Sequence, residues 1–235
     1  MLFIIGNVYF INSYSNKKTI YTAKVIDIKD GDTILIDTQT TIRLANINAP
    51  EKTSPLTEQS KKFLEQYKNK TIHVESLGLD KYGRELARIY SSSEEYINFK
   101  LVEEGFASKY LVQESELKEF SNAEKKAIFL SKGIWNHSPH YGCLSLEIDK
   151  YNEIVTLISN CQISLENFKL KDESRKTYTF PQTNSKKINL HSKQGTDNST
   201  DLFWNSKQNI WNNDRDSVYL FDTNNNLVYY SDYGY

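Results

Sequence analysis

Two aspartates flanking a glycine, an arginine further on and a glutamate just after a proline are the residues of this chain best suited to chemistry. They stand as Asp30-Gly31-Asp32-Thr33, Arg43 and Asn48-Ala49-Pro50-Glu51. Hard cations take oxygen ligands, and a guanidinium grips anionic oxygens with paired N–H donors. Carboxylates and an arginine at one mouth therefore suit a metal ion together with an anionic substrate. The run Ile34-Leu35-Ile36, followed by Ile42-Arg43-Leu44, reads as a β-hairpin whose ends collect Asp32, Arg43 and Glu51. Gly31 permits the turn and Pro50 stiffens the exit from the second strand. An Asp-Gly pair is also an ordinary hairpin turn, so this stretch alone has a purely structural reading.

A second stretch, Asp80-Lys81-Tyr82-Gly83-Arg84, precedes a strand at Leu86-Ala87-Arg88-Ile89-Tyr90. Gly105-Phe106-Ala107 and Ile134-Trp135 follow in turn. In this order the motifs make residues of about 20 to 137 resemble the staphylococcal (micrococcal) nuclease, or thermonuclease, family. The resemblance implies an OB-fold β-barrel with three helices, an α+β domain, and calcium-dependent hydrolysis of phosphodiester bonds in DNA and RNA that leaves 3′-phosphates. It implies a Ca2+ site made by Asp32, by Asn48 where an aspartate is usual, and by the backbone carbonyl of Ala49. Asn48 keeps an oxygen ligand but removes a full negative charge, which weakens calcium binding. Glu51 takes the place of the general base, and Arg43 and Arg84 clamp the scissile phosphate. Lys81 and Tyr82 match positions that contact a terminal phosphate, and Tyr110 is placed to stack on a base. Asp30 reads as turn-forming. The competing reading is a catalytically inactive nuclease-like module that binds nucleic acid or protein, and Asn48 is the residue that favours it.

The elements that must position these residues follow from periodicity. Residues 20–28, 32–37, 40–46, 71–77 and 85–90 alternate as strands. Residues 57–69 carry Phe63, Leu64 and Tyr67 at helical spacing behind Thr57 as N-cap. Residues 96–104 form a second helix ended by Gly105, and 115–132 a third ended by Gly133. Five strands, one helix inserted and two following, suit an OB-fold barrel.

After Ser138-Pro139 helical patterns stop. Short aromatic strands at 153–159, 163–170, 176–180, 187–192, 201–204, 217–221 and 227–233 alternate with Asn, Asp and Gly turns, as in a sandwich. Glu153-Ile154-Val155-Thr156-Leu157, Leu165-Glu166-Asn167-Phe168-Lys169-Leu170-Lys171-Asp172, Thr177-Tyr178-Thr179-Phe180-Pro181, Gly195-Thr196-Asp197, Leu202-Phe203-Trp204 and Ile210-Trp211-Asn212-Asn213 resemble the lamin-tail domain, with Phe168 where a tryptophan is usual. The resemblance implies an all-β immunoglobulin-like sandwich. Without a catalytic cluster of its own, it reads as an interaction module for nucleic acid, a cell surface or another protein. The expected division is an N-terminal segment 1–19, a nuclease-like domain 20–138 and a sandwich 145–235, the two domains separable and the chemistry confined to the first.

Composition narrows the partners. Lys plus Arg total 29 against 30 Asp plus Glu, and mean hydropathy is −0.61. Residues 1–138 hold 19 basic against 18 acidic side chains, leaving 10 against 12 in the rest. Neither half is a polycation, so nucleic acid must be met at a local site. Cys143 and Cys161 read as idle thiols that could pair in an oxidising compartment. Residues 1–12 are apolar but interrupted at Gly6-Asn7, too short for a membrane span; a degenerate export segment and a packed strand both suit them. The chain is expected to be a monomer; a secreted or cell-surface location is favoured, and a cytoplasmic one stays open.

Overall fold

The computed structural model describes residues 19–50, 56–183 and 185–235. The N-terminal apolar stretch and Glu51 lie outside the described residues. The first half contains β1 (Thr19–Asp30), β2 (Thr33–Ile36), β3 (Thr41–Leu44) and a two-residue β4 (Ile47–Asn48). Helix α1 (Thr57–Glu65) leads to β5 (Thr71–Leu79) and β6 (Glu85–Ser91). Then come α2 (Ile97–Glu103), β7 (Ser108–Lys109) and α3 (Leu117–Phe129). The expected barrel is present: it closes in the order β1-β2-β3-β6-β5, with β3 and β6 parallel.

Its interior is filled by the residues that alternation places inward. Ala23 and Val25 point in from β1; after an irregularity in the pairing with β2, so does Ile28, the change of parity that a bulge produces. Ile34, Ile36, Ile42, Leu44, Ile72, Val74, Ala87 and Ile89 complete the lining. Buried Asn98 ties α2 to this wall, donating to the carbonyls of Ala45 and Ala87 and accepting from the Ile89 amide.

Local details differ from expectation. Gly31 does not need left-handed freedom, since it is not among the positive-φ residues. It is needed for space: a Cβ there would lie 2.6 Å from both Ala49 Cβ and Ser60 Cβ. Thr57 does not cap α1, whose N-cap is Leu56; its hydroxyl donates instead to the Pro50 carbonyl at 3.1 Å. The helix stops at Glu65, and Asn69 turns the chain at positive φ.

The second half holds two four-stranded sheets. One comprises β10 (Lys169–Lys171), β11 (Thr177–Thr179), β14 (Asp216–Phe221) and β15 (Leu227–Tyr233), in the order β11-β10-β14-β15. The other comprises β8 (Leu144–Asp149), β9 (Ile154–Ser159), β12 (Lys187–His191) and β13 (Asp201–Phe203), in the order β13-β12-β9-β8. Val155, Leu157, Phe168, Leu170, Phe180, Leu190, Trp211 and Val218 form the core between them. The strand expected at 163–170 shrinks to β10, while β8 was not foreseen. Cys143 and Cys161 are not idle thiols: they are joined in a disulfide, with Cα atoms 5.5 Å apart.

The halves meet over a substantial buried contact. Trp135, Ile128 and Ala127 pack with Tyr219 and Leu227, and the Trp135 ring stacks on Tyr219 at 5.2 Å. Beside them Lys109 and Glu124, both fully buried, pair at 2.6 Å, and Lys109 also donates to Ser217 Oγ and Tyr230 Oη. Tyr219 and Tyr230 donate their hydroxyls to the same glutamate. The connecting segment is pinned rather than slack, because the Ser138 amide donates to the Leu227 carbonyl and the Leu227 amide to that of Asn136.

Candidate phosphoryl-binding cleft

A cleft of about 870 Å³ opens at the end of the barrel. Eight of the nine site residues read from the sequence line it: Asp32, Arg43, Asn48, Ala49, Lys81, Tyr82, Arg84 and Tyr110. Glu51, the ninth, lies outside the described residues.

Arg43 sits between Ile42 and Leu44 on β3, and those neighbours face the barrel interior, so alternation turns Arg43 to the cleft side. The residue is only 8% exposed. Nη2 lies 3.1 Å from Asp32 Oδ2, 2.6 Å from Asn48 Oδ1 and 2.9 Å from the Ile47 carbonyl, while Nη1 donates to the Leu44 carbonyl. Asp32 also accepts from the Ala49 amide at 2.9 Å and the Thr33 hydroxyl at 3.1 Å. Asp30 forms the turn, accepting from the Asp32 amide at 3.1 Å. Burial pushes the Asp32 carboxyl above its ordinary range, opposed by the Arg43 charge. Burial likewise draws the guanidinium below its own range, opposed by Asp32. Each charge is thus held in a dry site chiefly by the other.

Arg84 ends the turn between β5 and β6. Asp80 Oδ1 accepts the Tyr82 and Arg84 amides at 2.8 and 3.0 Å, and Gly83, at φ 77°, closes the turn onto the Asp80 carbonyl. Asp80 Oδ2 holds Arg84 Nε and Nη2, each at 2.8 Å. That two-point grip fixes the direction of the guanidinium, whose Nη1 reaches 3.5 Å from the Thr33 hydroxyl. Lys81 and Tyr82 stand at the exposed lip, the ammonium 5.0 Å above the tyrosine ring. Half-buried Tyr110 directly follows β7, its amide donating to the Asn46 carbonyl just before β4.

The resemblance implies three ligand atoms, and all three are hard oxygens of the kind calcium takes. Asp32 Oδ2 and Asn48 Oδ1 converge on one cationic nitrogen, Arg43 Nη2, so a cation already sits where both point. The Ala49 carbonyl accepts from a second guanidinium, that of Arg175. The donor set therefore fits a hard cation in type, with one formal charge among its three ligands, while its oxygens are engaged here by the guanidinia of Arg43 and Arg175. Among the described residues no group of three or more His, Cys, Asp and Glu could hold a metal.

Sequence reasoning missed two contributors from the second half. Ser174 and Arg175 line the same cleft. Asn48 Nδ2 donates to the Glu173 carbonyl at 3.2 Å, so the asparagine that departs from the family pattern has a partner an aspartate would lack. Nothing in a linear pattern joins residues this far apart; only the polar, Asp-led segment 172–176 hints at a turn.

Residues 41–137 match the family described as Staphylococcal nuclease homologue, and residues 148–235 match the Lamin Tail Domain. The chain is 32% identical over 130 residues to the Thermonuclease of Staphylococcus hyicus, covering 49% of this chain and 76% of that one. It is 34% identical over 122 residues to an "Uncharacterized endonuclease" of Haemophilus influenzae, covering 48% of this chain and 66% of that one. It is also 28% identical over 141 residues to Endonuclease YhcR of Bacillus subtilis, covering 50% of this chain but 12% of the relative. Barrel, cleft and matches agree: the chain belongs to the staphylococcal nuclease family, with a lamin-tail domain joined to its C-terminal side.

Proposed function

We propose that this chain is a calcium-dependent nuclease that hydrolyses phosphodiester bonds of DNA and RNA, with a lamin-tail module that also serves in attachment. The observation that carries the reading is the convergence of Asp32, Arg43 and Arg84 on one cleft, the first two paired with each other and the third gripped by Asp80. A phosphodiester repels nucleophiles through its own charge. Two guanidinia beside it offset that charge and the additional charge of the pentavalent transition state. Arg84 is pre-aimed by Asp80, so little reorganisation is needed when phosphate arrives. Arg43 exchanges its present partners, Asp32 and Asn48 among them, for the phosphate, which frees those oxygens for a cation. A calcium ion held by Asp32, Asn48 and the Ala49 carbonyl would neutralise a non-bridging oxygen. Glu51 is assigned the general base on resemblance, with Pro50 fixing the start of its segment. Lys81 and Tyr82 at the lip suit a neighbouring phosphate, and Tyr110 a base. Secretion or surface display agrees with the disulfide, which persists in oxidising compartments.

The inactive-module reading rests on Asn48 and on the arginines that engage the expected ligand oxygens. Incubating the full chain with an end-labelled oligonucleotide, in calcium and in chelator, separates the two. Cleavage in calcium alone supports the nuclease; intact oligonucleotide in both supports the binding module.

A further inference from the structure

The cleft is walled on one side by a turn that belongs to the other half of the molecule. Between β10 and β11, Asp172 Oδ1 accepts the Lys176 amide at 2.6 Å, Asp172 Oδ2 accepts the Ser174 hydroxyl at 2.6 Å, and the Arg175 amide donates to the Asp172 carbonyl at 3.1 Å. The Glu173 amide donates to Asp216 Oδ1 at 3.2 Å, and the Tyr235 hydroxyl donates to Glu173 Oε2. Together with the bond from Asn48 to the Glu173 carbonyl, these contacts hold the turn against the barrel mouth. The turn is built, and its tip delivers a half-buried Arg175 to the Ala49 carbonyl, within the electrostatic reach of Asp32 and Arg43.

The same Asp-led turn occurs twice more. At 80–84 the left-handed residue is Gly83, and at 222–226 it is Asn225, the two residue types that accept positive φ at least cost. At 172–176 that position is Arg175, at φ 73°. A long cation delivered by a built turn into a cleft that already holds two arginines points to use rather than to turn chemistry.

We propose that Arg175 is a substrate-binding residue of the cleft, gripping a phosphate of the bound strand, so that the nucleic-acid site is a composite of both halves. This rests on the nuclease reading above. A carbonyl is a neutral acceptor and a phosphate an anionic, bidentate one, so arrival of a strand draws the guanidinium from Ala49 to the phosphate. It leaves the Ala49 carbonyl open to a cation.

The test is equilibrium binding of a short, fluorescein-labelled phosphorothioate DNA strand to the full chain in chelator, followed by anisotropy across a salt series. The main variant is Arg175→Asn, which installs the residue type that the 222–226 turn carries and so keeps the turn. It should raise Kd about tenfold and flatten the dependence of log Kd on log salt by about 0.7, the share of one phosphate contact on a single strand. Arg175→Lys, which keeps the charge but not the fork, should fall between the two. Lys187→Ala removes an exposed cation on β12, away from the cleft, and should match the wild type. Thermal midpoints confirm that each variant is folded. If Arg84→Gly weakens binding while Arg175→Asn equals the wild type in Kd and salt slope, the assignment of Arg175 is overturned and the nuclease reading stands. If the wild type shows no salt-dependent binding in chelator and none when calcium is supplied to the cleavage-resistant strand, both are overturned.

Discussion

The barrel turn at 80–84 and the sandwich turn at 172–176 close by the same device, an aspartate side chain collecting amides of its own loop, and both deliver an arginine to one cleft. They differ in what holds the arginine. Arg84 is gripped at two points by the aspartate of its own turn, so its direction is a local property of five residues. Arg175 is held by docking: its position depends on Asn48, Asp216, Tyr235 and the buried contact behind them. A locally fixed group suits transition-state stabilisation, where tenths of an ångström matter, and a docked one suits gripping the strand.

The largest effect should come from removing the docking. Lys109→Met leaves buried Glu124 without its cation, and breaking one partner of such a pair costs about 3–5 kcal/mol. Denaturant unfolding should show a loss of that size. If Arg175 depends on docking, the variant should also lose oligonucleotide affinity while Arg84 keeps its local grip; an unchanged stability would mean the network does not join the halves.

Within the cleft, Arg84→Gly and Glu51→Gln should each lower turnover about 100- to 1,000-fold with circular dichroism unchanged, the usual size for one lost transition-state contact. Near-native turnover in either variant would remove that residue from the mechanism.

Asp216, which anchors the sandwich turn, offers a pH signature. Burial pushes its carboxyl from the ordinary value up to about 6, against three backbone amides that pull it down. The fold thus favours the neutral acid. This contribution to stability is complete below about pH 4 and is lost as pH rises through about 6, by at most about 3 kcal/mol. Asp216→Asn cannot titrate, so the difference in melting midpoint between wild type and variant should shift against the wild type over that window. A constant difference would contradict the assignment.

The smallest effect concerns Asn48→Asp. Restoring a charge beside the proposed ion should lower the calcium needed for half-maximal cleavage, while an oxygen facing the Glu173 carbonyl should cost about 1–3 kcal/mol of stability. Tighter calcium use with no loss of stability would show that the Asn48 amide does not matter to docking.

How much of this was legible follows the same line between local and docked. Arg43 was readable because Ile42 and Leu44 announce the face it must avoid, and Arg84 because Asp80 and Gly83 write the turn into five consecutive residues. The strand β8 was missed although Leu144, Leu146 and Ile148 alternate, because the polar stretch before it read as linker. Cys143 and Cys161 gave no spacing motif; their pairing needs β8 and β9 side by side. Gly31 reads as a turn residue in sequence, whereas its packing against Ala49 and Ser60 is a tertiary fact. Arg175 could not be read at all, since its partner carbonyl is 126 positions away.

The most direct test of the account is the cleavage rate of a short oligonucleotide by the full chain in calcium, measured against substrate concentration for wild type, Arg84→Gly and Arg175→Asn. The account predicts cleavage abolished by chelator, a collapse of the maximal rate in Arg84→Gly, and in Arg175→Asn a rise in the half-saturating concentration of about tenfold that exceeds any fall in the maximal rate. No cleavage by the wild type, or an Arg84→Gly variant as fast as the wild type, would contradict it.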